Sequence, residues 1–199
     1  ARRFLTKLWN ACKFSLSHLQ DIDPAAEPDL LPIDSWIIAR TREVVRNAQT
    51  LLNEYEIGSA RNEIDDFFWK DFCDNYIEIV KERLYRPDIH GEKQRQSGQR
   101  ALYFTLLNIL KLYAIYVPHI TEHIYQEFFR QYEKGISLHL LYWEGATPKD
   151  AGPAPENTAR YGFAPSLKEG DENRRLLEFG EAVKRILTGI RREKSENNL

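Results

Sequence analysis

The sequence predicts an all-α protein: a helical bundle of about five helices with a short edge strand and a tethered basic C-terminal helix. Three observations carry that prediction. Apolar residues recur at i, i+3 and i+4 along most of the chain, the spacing of helices with one buried face. Over the first 143 residues, proline and glycine mark the ends of these patterns rather than interrupting them. A content of 42% hydrophobic and 12% aromatic residues in 199 supplies a core, and no apolar run reaches the length of a membrane span. The formal charge of −2 excludes a general polycation, so any contact with nucleic acid must be a local patch.

The first helix is expected over 2–19, where Phe4, Leu5, Leu8, Trp9, Cys12, Leu16 and Leu19 fall on one arc that faces the core. "DIDPAAEPDLLP" ends it. Asp34 is a candidate N-cap for a second helix running to about Tyr55, with Trp36, Ile37, Val44, Leu51 and Leu52 inward. Gly58 punctuates, and a third helix, with the aromatic-dense "DFFWKDFCDNYIEIV", continues to about Leu84. "RPDIHGEKQRQSGQ" reads as a polar loop with Gly91 and Gly98 as breakers; a fourth helix then covers 99–116 and a fifth opens at Pro118 and ends near Tyr132. "ISLHLLYW" alternates weakly and is the candidate strand. Four of the nine prolines and four of the ten glycines fall within 144–170, the composition of a linker or flap. The basic helix that follows carries Lys184, Arg185, Arg191, Arg192 and Lys194. The expected organisation is therefore a bundle over 1–143, a Pro/Gly-rich linker over 144–170, and a basic helix over 171–199 leading to a further C-terminal segment. The sequence contains no methionine and opens in helical register. Both features predict an internal piece of a longer protein, or a sequence from which modified methionines have dropped out.

Phosphate-cradling glycine loops and a G-x-S-x-G elbow do not occur. Cys12 and Cys73 sit within helical patterns and read as reduced, buried thiols. "VPHITEHIYQEF" places His119, Glu122 and His123 in an H-x-x-E-H pattern, the spacing of an inverted zinc-peptidase helix. A third ligand could come only from the tail, from Glu193 or Glu196. The plainer reading puts His119 and Glu122 in a polar first turn and His123 on the surface, with no metal.

The first helix offers more. At roughly 100° per residue, Arg3, Lys7, Asn10 and Phe14 fall within about 60° of one another, away from the apolar arc. A ring flanked by a cation and an amide is what single-stranded RNA recognition uses: stacking for a splayed base, an amide for a base edge, a positive charge for phosphate. Alternatively, Phe14 packs beneath the 21–31 loop and the charges are merely solvated. The basic tail leaves open a protein-interaction module, or a face that packs back on its own protein.

Five blocks in order, "RRFLTKLWNACKF", "IDSWIIAR", "FFWKDFCDNYIEIVKERLY", "YVPHITEHIYQEF" and "ISLHLLYWE", resemble the anticodon-binding helical domain of class I aminoacyl-tRNA synthetases over about residues 1–143, most closely that of the valyl enzymes. The isoleucyl enzymes share the "D-x-W" and "K-x-R-L-Y" elements and are the alternative. Asn75 and Ile77 depart from the tryptophan and leucine usual in the third block. The resemblance makes "PHITEHIYQ" a family helix start rather than a metal site.

It implies recognition of a valine tRNA anticodon within a valine–tRNA ligase, through Lys7, Asn10 and Phe14 of the first helix and Ile77 and Glu78 of the third, with Arg3 beside them. An amide can pair bidentately with the adenine of such an anticodon and a carboxylate can accept from the cytosine amino group. The ATP-binding signatures of the class are absent, so this piece is expected to hold no catalytic site and no cofactor. ATP and Mg would serve the full-length enzyme. The implied partners are valine tRNA and the catalytic domain of the same chain, not DNA or a membrane, in the cytoplasm.

Overall fold

The computed structural model describes residues 2–23, 26, 28–133, 135–143 and 170–196. The protein is all-α, and among these residues there are seven helices and no strand. None of the helices is long and apolar enough to cross a membrane. The expected linker lies, apart from Gly170, outside the described residues.

Helix α1, Arg2–Ser17, buries Phe4, Leu8, Ala11, Cys12 and Ser15. Its buried stripe is narrower than the apolar arc in the sequence: Trp9 is 47% exposed and Leu5 also reaches solvent. The helix stops two residues early because the Ser17 hydroxyl donates to the Phe14 carbonyl and the His18 N–H turns back to Ser15.

Helix α2, Pro32–Asn53, starts on proline, whose missing N–H costs nothing at that position. Asp34 is therefore not an N-cap. It lies inside the first turn with none of its surface exposed, and its carboxylate turns inward. There it accepts from the Tyr76 hydroxyl at 2.7 Å, from both terminal nitrogens of Arg83 at 2.8 and 2.9 Å, and from Ser97. Burial alone would lower the Arg83 pKa, but the hydrogen bonds and charge of Asp34 outweigh it and hold the guanidinium cationic. The far end of α2 closes near Tyr55, as expected, with Gly58 beyond it. Tyr55 takes φ 62°, its N–H bonds to Leu52 and that of Glu56 to Leu51, the paired bonds of a Schellman stop.

Helix α3 spans 57–85 without a break, α-helical over Ile57–Asp66, π-helical over Phe67–Tyr76 and α-helical again over Ile77–Tyr85. Phe67, Phe68, Phe72 and Tyr76 of the wide segment are fully buried, and the Asn75 amide donates to the Lys70 carbonyl five residues back at 2.7 Å. A short helix, α4 (Pro87–His90), leads to Gly91, whose φ of 87° makes the true break.

Helix α5, Glu92–Tyr113, then begins seven residues before the expected start, so the polar loop is largely helix. Its polar side chains have partners inside the protein: Ser97 also accepts from the Leu31 N–H, and Gln99 donates to the His18 carbonyl. Gly98 is a contact point rather than a breaker, since a Cβ there would come within 2.7 Å of Val80. Every residue from Ser97 to Tyr113 is buried, which makes α5 the central helix of the bundle.

Helix α6 covers 118–133, with a π turn at Tyr125–Phe129. The expected strand is instead a 3₁₀ turn at Leu138–Leu140. A carboxylate takes the place of a partner strand, as Glu122 accepts from the Ser137 hydroxyl at 3.0 Å and the Leu138 N–H at 2.9 Å.

The basic helix, α7 (Asp171–Glu196), packs along α2, with buried Gly180 so close to Trp36 that any side chain there would run into the indole. Lys184 bonds Asp71 at 2.7 Å and Arg191 the Asp74 carbonyl at 2.6 Å. Of the five basic residues of the tail, Lys184 and Arg191 bond back to the protein, while Arg185, Arg192 and Lys194 are exposed.

Removing one partner of a buried ion pair leaves the other charge stranded, at a cost of about 3–5 kcal/mol. Asp34→Ala should lower the unfolding free energy by that order, against about 1–3 kcal/mol for Ser97→Ala, which removes a hydroxyl bonded to both Asp34 and Leu31. Urea unfolding followed by circular dichroism measures both.

Candidate nucleic-acid interface

Helix α1 lies beside the second half of α3, and the two run in the same direction. Phe4 meets Phe68 edge-on with centroids 6.0 Å apart, Lys7 reaches Asp74 at 3.5 Å, and the Phe14 ring lies 6.2 Å from that of Tyr85. The last two contacts bracket the stretch holding Asn10 on one helix and Ile77, Glu78 and Lys81 on the other. The stripe of Arg3, Lys7, Asn10 and Phe14 is thus the flank of α1 toward α3, not the side opposite the core.

Each residue of the stripe has a distinct environment. Arg3 and Lys7 both lie over Trp69, with the charge centres 5.8 and 5.4 Å from the ring centroid, which offers their cations an aromatic face. Trp69 was not singled out from the sequence because its neighbours Phe68 and Phe72 are core and nothing in "DFFWKDF" separates it from them. Asn10 is exposed, and its amide makes no hydrogen bond among the described residues.

Phe14 is partly buried. Its ring packs against His18, at 4.9 Å, and against Tyr85. Ile77 is 7% exposed and belongs to the core, so its side chain supports the surface from within. Glu78 presents an exposed carboxylate whose two oxygens accept from Lys81 at 3.0 and 3.2 Å. Such a pair on a helix surface contributes about 0.2–0.5 kcal/mol, little enough for a stronger donor to displace Lys81. The surface alternates positive, amide, aromatic and negative groups, a pattern suited to base edges rather than to bulk phosphate.

Residues 34–199 match the family described as the anticodon-binding domain of tRNA ligase. The chain belongs to that family. It is 33% identical over 198 residues, 99% of its length, to the valine–tRNA ligase of Thermococcus kodakarensis. Against that of Haloarcula marismortui it is 31% identical over 201 residues, and against that of Symbiobacterium thermophilum 44% identical over 130 residues, 64% of the chain. The chain spans only a fifth or less of these relatives, which are covered to 20, 18 and 14%.

Within this anticodon-binding domain, the H-x-x-E-H residues do other work. Glu122 holds the 3₁₀ turn, His123 stacks parallel to Trp9 at 6.4 Å, and His119 is exposed. Among the described residues no group of three His, Cys, Asp or Glu side chains could hold a metal, and Glu193 and Glu196 lie on α7. Cys12 and Cys73 are free and buried, and burial raises both thiol pKa values, that of Cys73 to about 12, so neither is a nucleophile near neutral pH.

His18 gives the domain a measurable pH dependence. Burial, helped by the charge of Arg95 and opposed by Asp21, lowers its pKa below the ordinary 6.5. As pH falls through 6.5 the unfolded chain takes up a proton before the folded protein does, so stability drops until the lower folded value is passed. The melting temperature should therefore fall on acidification from pH 7.5 to 5.5. Calorimetry of His18→Gln should show a smaller fall over the same window.

Proposed function

We propose that this chain reads the anticodon of valine tRNA as part of a valine–tRNA ligase, a class I synthetase that attaches valine to its tRNA with ATP and Mg. The observation that carries the proposal is the seam between α1 and α3. There Lys7, Asn10 and Phe14 stand along a stretch of α3 that offers Glu78, as a reader of unpaired bases requires. That the relatives are named valine–tRNA ligases supports valine over isoleucine.

Each residue then has a role. Arg3 and Lys7 hold phosphate or base carbonyl oxygens, Asn10 pairs with the central adenine, Phe14 stacks, and Glu78 exchanges Lys81 for the amino group of the terminal cytosine, with Ile77 packed behind it. Activation of valine belongs to the rest of the longer protein, whose catalytic domain is the partner in the same chain and which would bind the ATP and Mg. The expected unit is cytoplasmic, with the bundle at 1–143 and the basic helix at 171–199 acting together and the 144–170 segment linking them.

Glu78 provides the test, because uracil presents a carbonyl where cytosine presents an amino group. With the full-length protein and two tRNA transcripts differing only at the last anticodon base, the unaltered protein should prefer cytosine. Glu78→Gln should lose about 1–3 kcal/mol of that preference. A protein indifferent to the anticodon would overturn the functional reading, and an unchanged preference in the variant would remove Glu78 alone.

A further inference from the structure

Tyr85 ends α3 beside the predicted stripe and was not among its residues. It is 61% exposed although its neighbours Arg83 and Leu84 are buried, and its hydroxyl makes no hydrogen bond among the described residues. The ring is nevertheless held. His18 stands perpendicular to it with centroids 4.5 Å apart, and Phe14 leans on it at 57°. His18 is in turn fixed by its position at the end of α1, where the Gln99 side chain bonds its carbonyl at 2.7 Å. The next residue, Arg86, is exposed and has no ion-pair partner among the described residues.

A base stacks on an open ring face, and the gain is larger when the ring is already immobilised, because less side-chain freedom is lost on binding. Phe14 is partly covered by His18 and Tyr85, so the more open of the two rings is that of Tyr85. From this we infer that Tyr85 is a second stacking platform for an unpaired nucleotide at the end of the groove, with Arg86 taking the phosphate beside it. The two-ring step of Phe14 and Tyr85 receives consecutive splayed bases, and the cation adjoins it without lying in it. This inference rests on the anticodon-binding reading and adds a residue pair to it.

The experiment uses full-length protein and a valine tRNA transcript with 2-aminopurine at the loop base that follows the anticodon, so that all three anticodon bases remain, together with the same transcript carrying an unrelated anticodon. Tyr85→Phe should bind and quench the fluorophore as the unaltered protein does, since the ring remains. Tyr85→Leu and Tyr85→Ala should bind about 5- to 150-fold more weakly, with reduced quenching and unchanged melting temperatures. Arg86→Ala should lower the slope of log K against log salt by about 0.7, the contribution of one single-strand phosphate.

Variants at Tyr85 that bind like the unaltered protein, while Asn10→Ala weakens binding, would overturn the platform and leave the groove standing. Loss of melting temperature with retained affinity would overturn it too, and assign the ring to packing against another part of the protein. If the unaltered protein does not distinguish the two anticodons, the functional reading fails first and Tyr85 fails with it.

Discussion

The buried carboxylate of Asp34 sets the register of the bundle. It stands in the first turn of α2, receives Tyr76 and Arg83 from α3 and Ser97 from α5, and so ties three helices at one point with no surface exposed. A charge in such a place is stable only if every partner is present, because desolvation outweighs the attraction of a poorly matched pair. The consequence for the surface is geometric. Fixing Arg83 inward fixes Tyr85, two residues further and roughly 200° around the helix, on the outer side where α1 ends. The core and the groove are thus set by the same residues.

The π-helical segment serves both ends of this arrangement. Ten residues with wide turns let Phe67, Phe68, Phe72 and Tyr76 all face the core, while Asp71 and Asp74 reach different neighbours. Asp71 joins Arg40 of α2 at 2.9 Å to Lys184 of α7, and Asp74 takes Lys7 of α1 on its carboxylate and Arg191 of α7 on its carbonyl. π turns are uncommon and concentrate where function demands an irregular side-chain placement. Here the irregularity brings α1 and α7 to the same few residues of α3.

What the sequence made legible was what periodicity encodes. The buried residues of α1, the sharp opening at Pro118 and the amphipathic tail all follow from spacing and from proline geometry. Asp34 was misread as a cap because an acid just after a proline near a helix start is usually one, and only Arg83, 49 residues away, makes it a core residue. The start of α5 was missed because Glu92 to Gln96 have no apolar period, and their helix is sustained by partners such as Asp21 on Arg95 at 2.8 Å. The stop near Tyr55 was legible as the end of the apolar pattern, but its mechanism was not, because a φ of 62° is advertised by a sequence only when glycine or asparagine takes it. In the candidate site, Lys7, Asn10 and Phe14 were visible as a stripe on one helix. Trp69 and Tyr85 belong to another helix, and no single-helix pattern could have joined them.

The same distinction explains how a chain of net charge −2 can meet a polyanion. Its most basic-looking segment, α7, turns Lys184 and Arg191 back onto its own protein, where they bond Asp71 and the Asp74 carbonyl. Burial opposes the charge of Lys184, but its bonds to Asp71 and Glu181 prevail and raise its pKa, so it remains a structural cation at any physiological pH. The cations on the proposed groove are few and individually placed, two over Trp69, Lys81 on Glu78 and one after Tyr85, among aromatic and amide groups. With so little general attraction, most of the binding energy must come from base contacts, and those contacts depend on the anticodon's sequence as phosphate contacts do not.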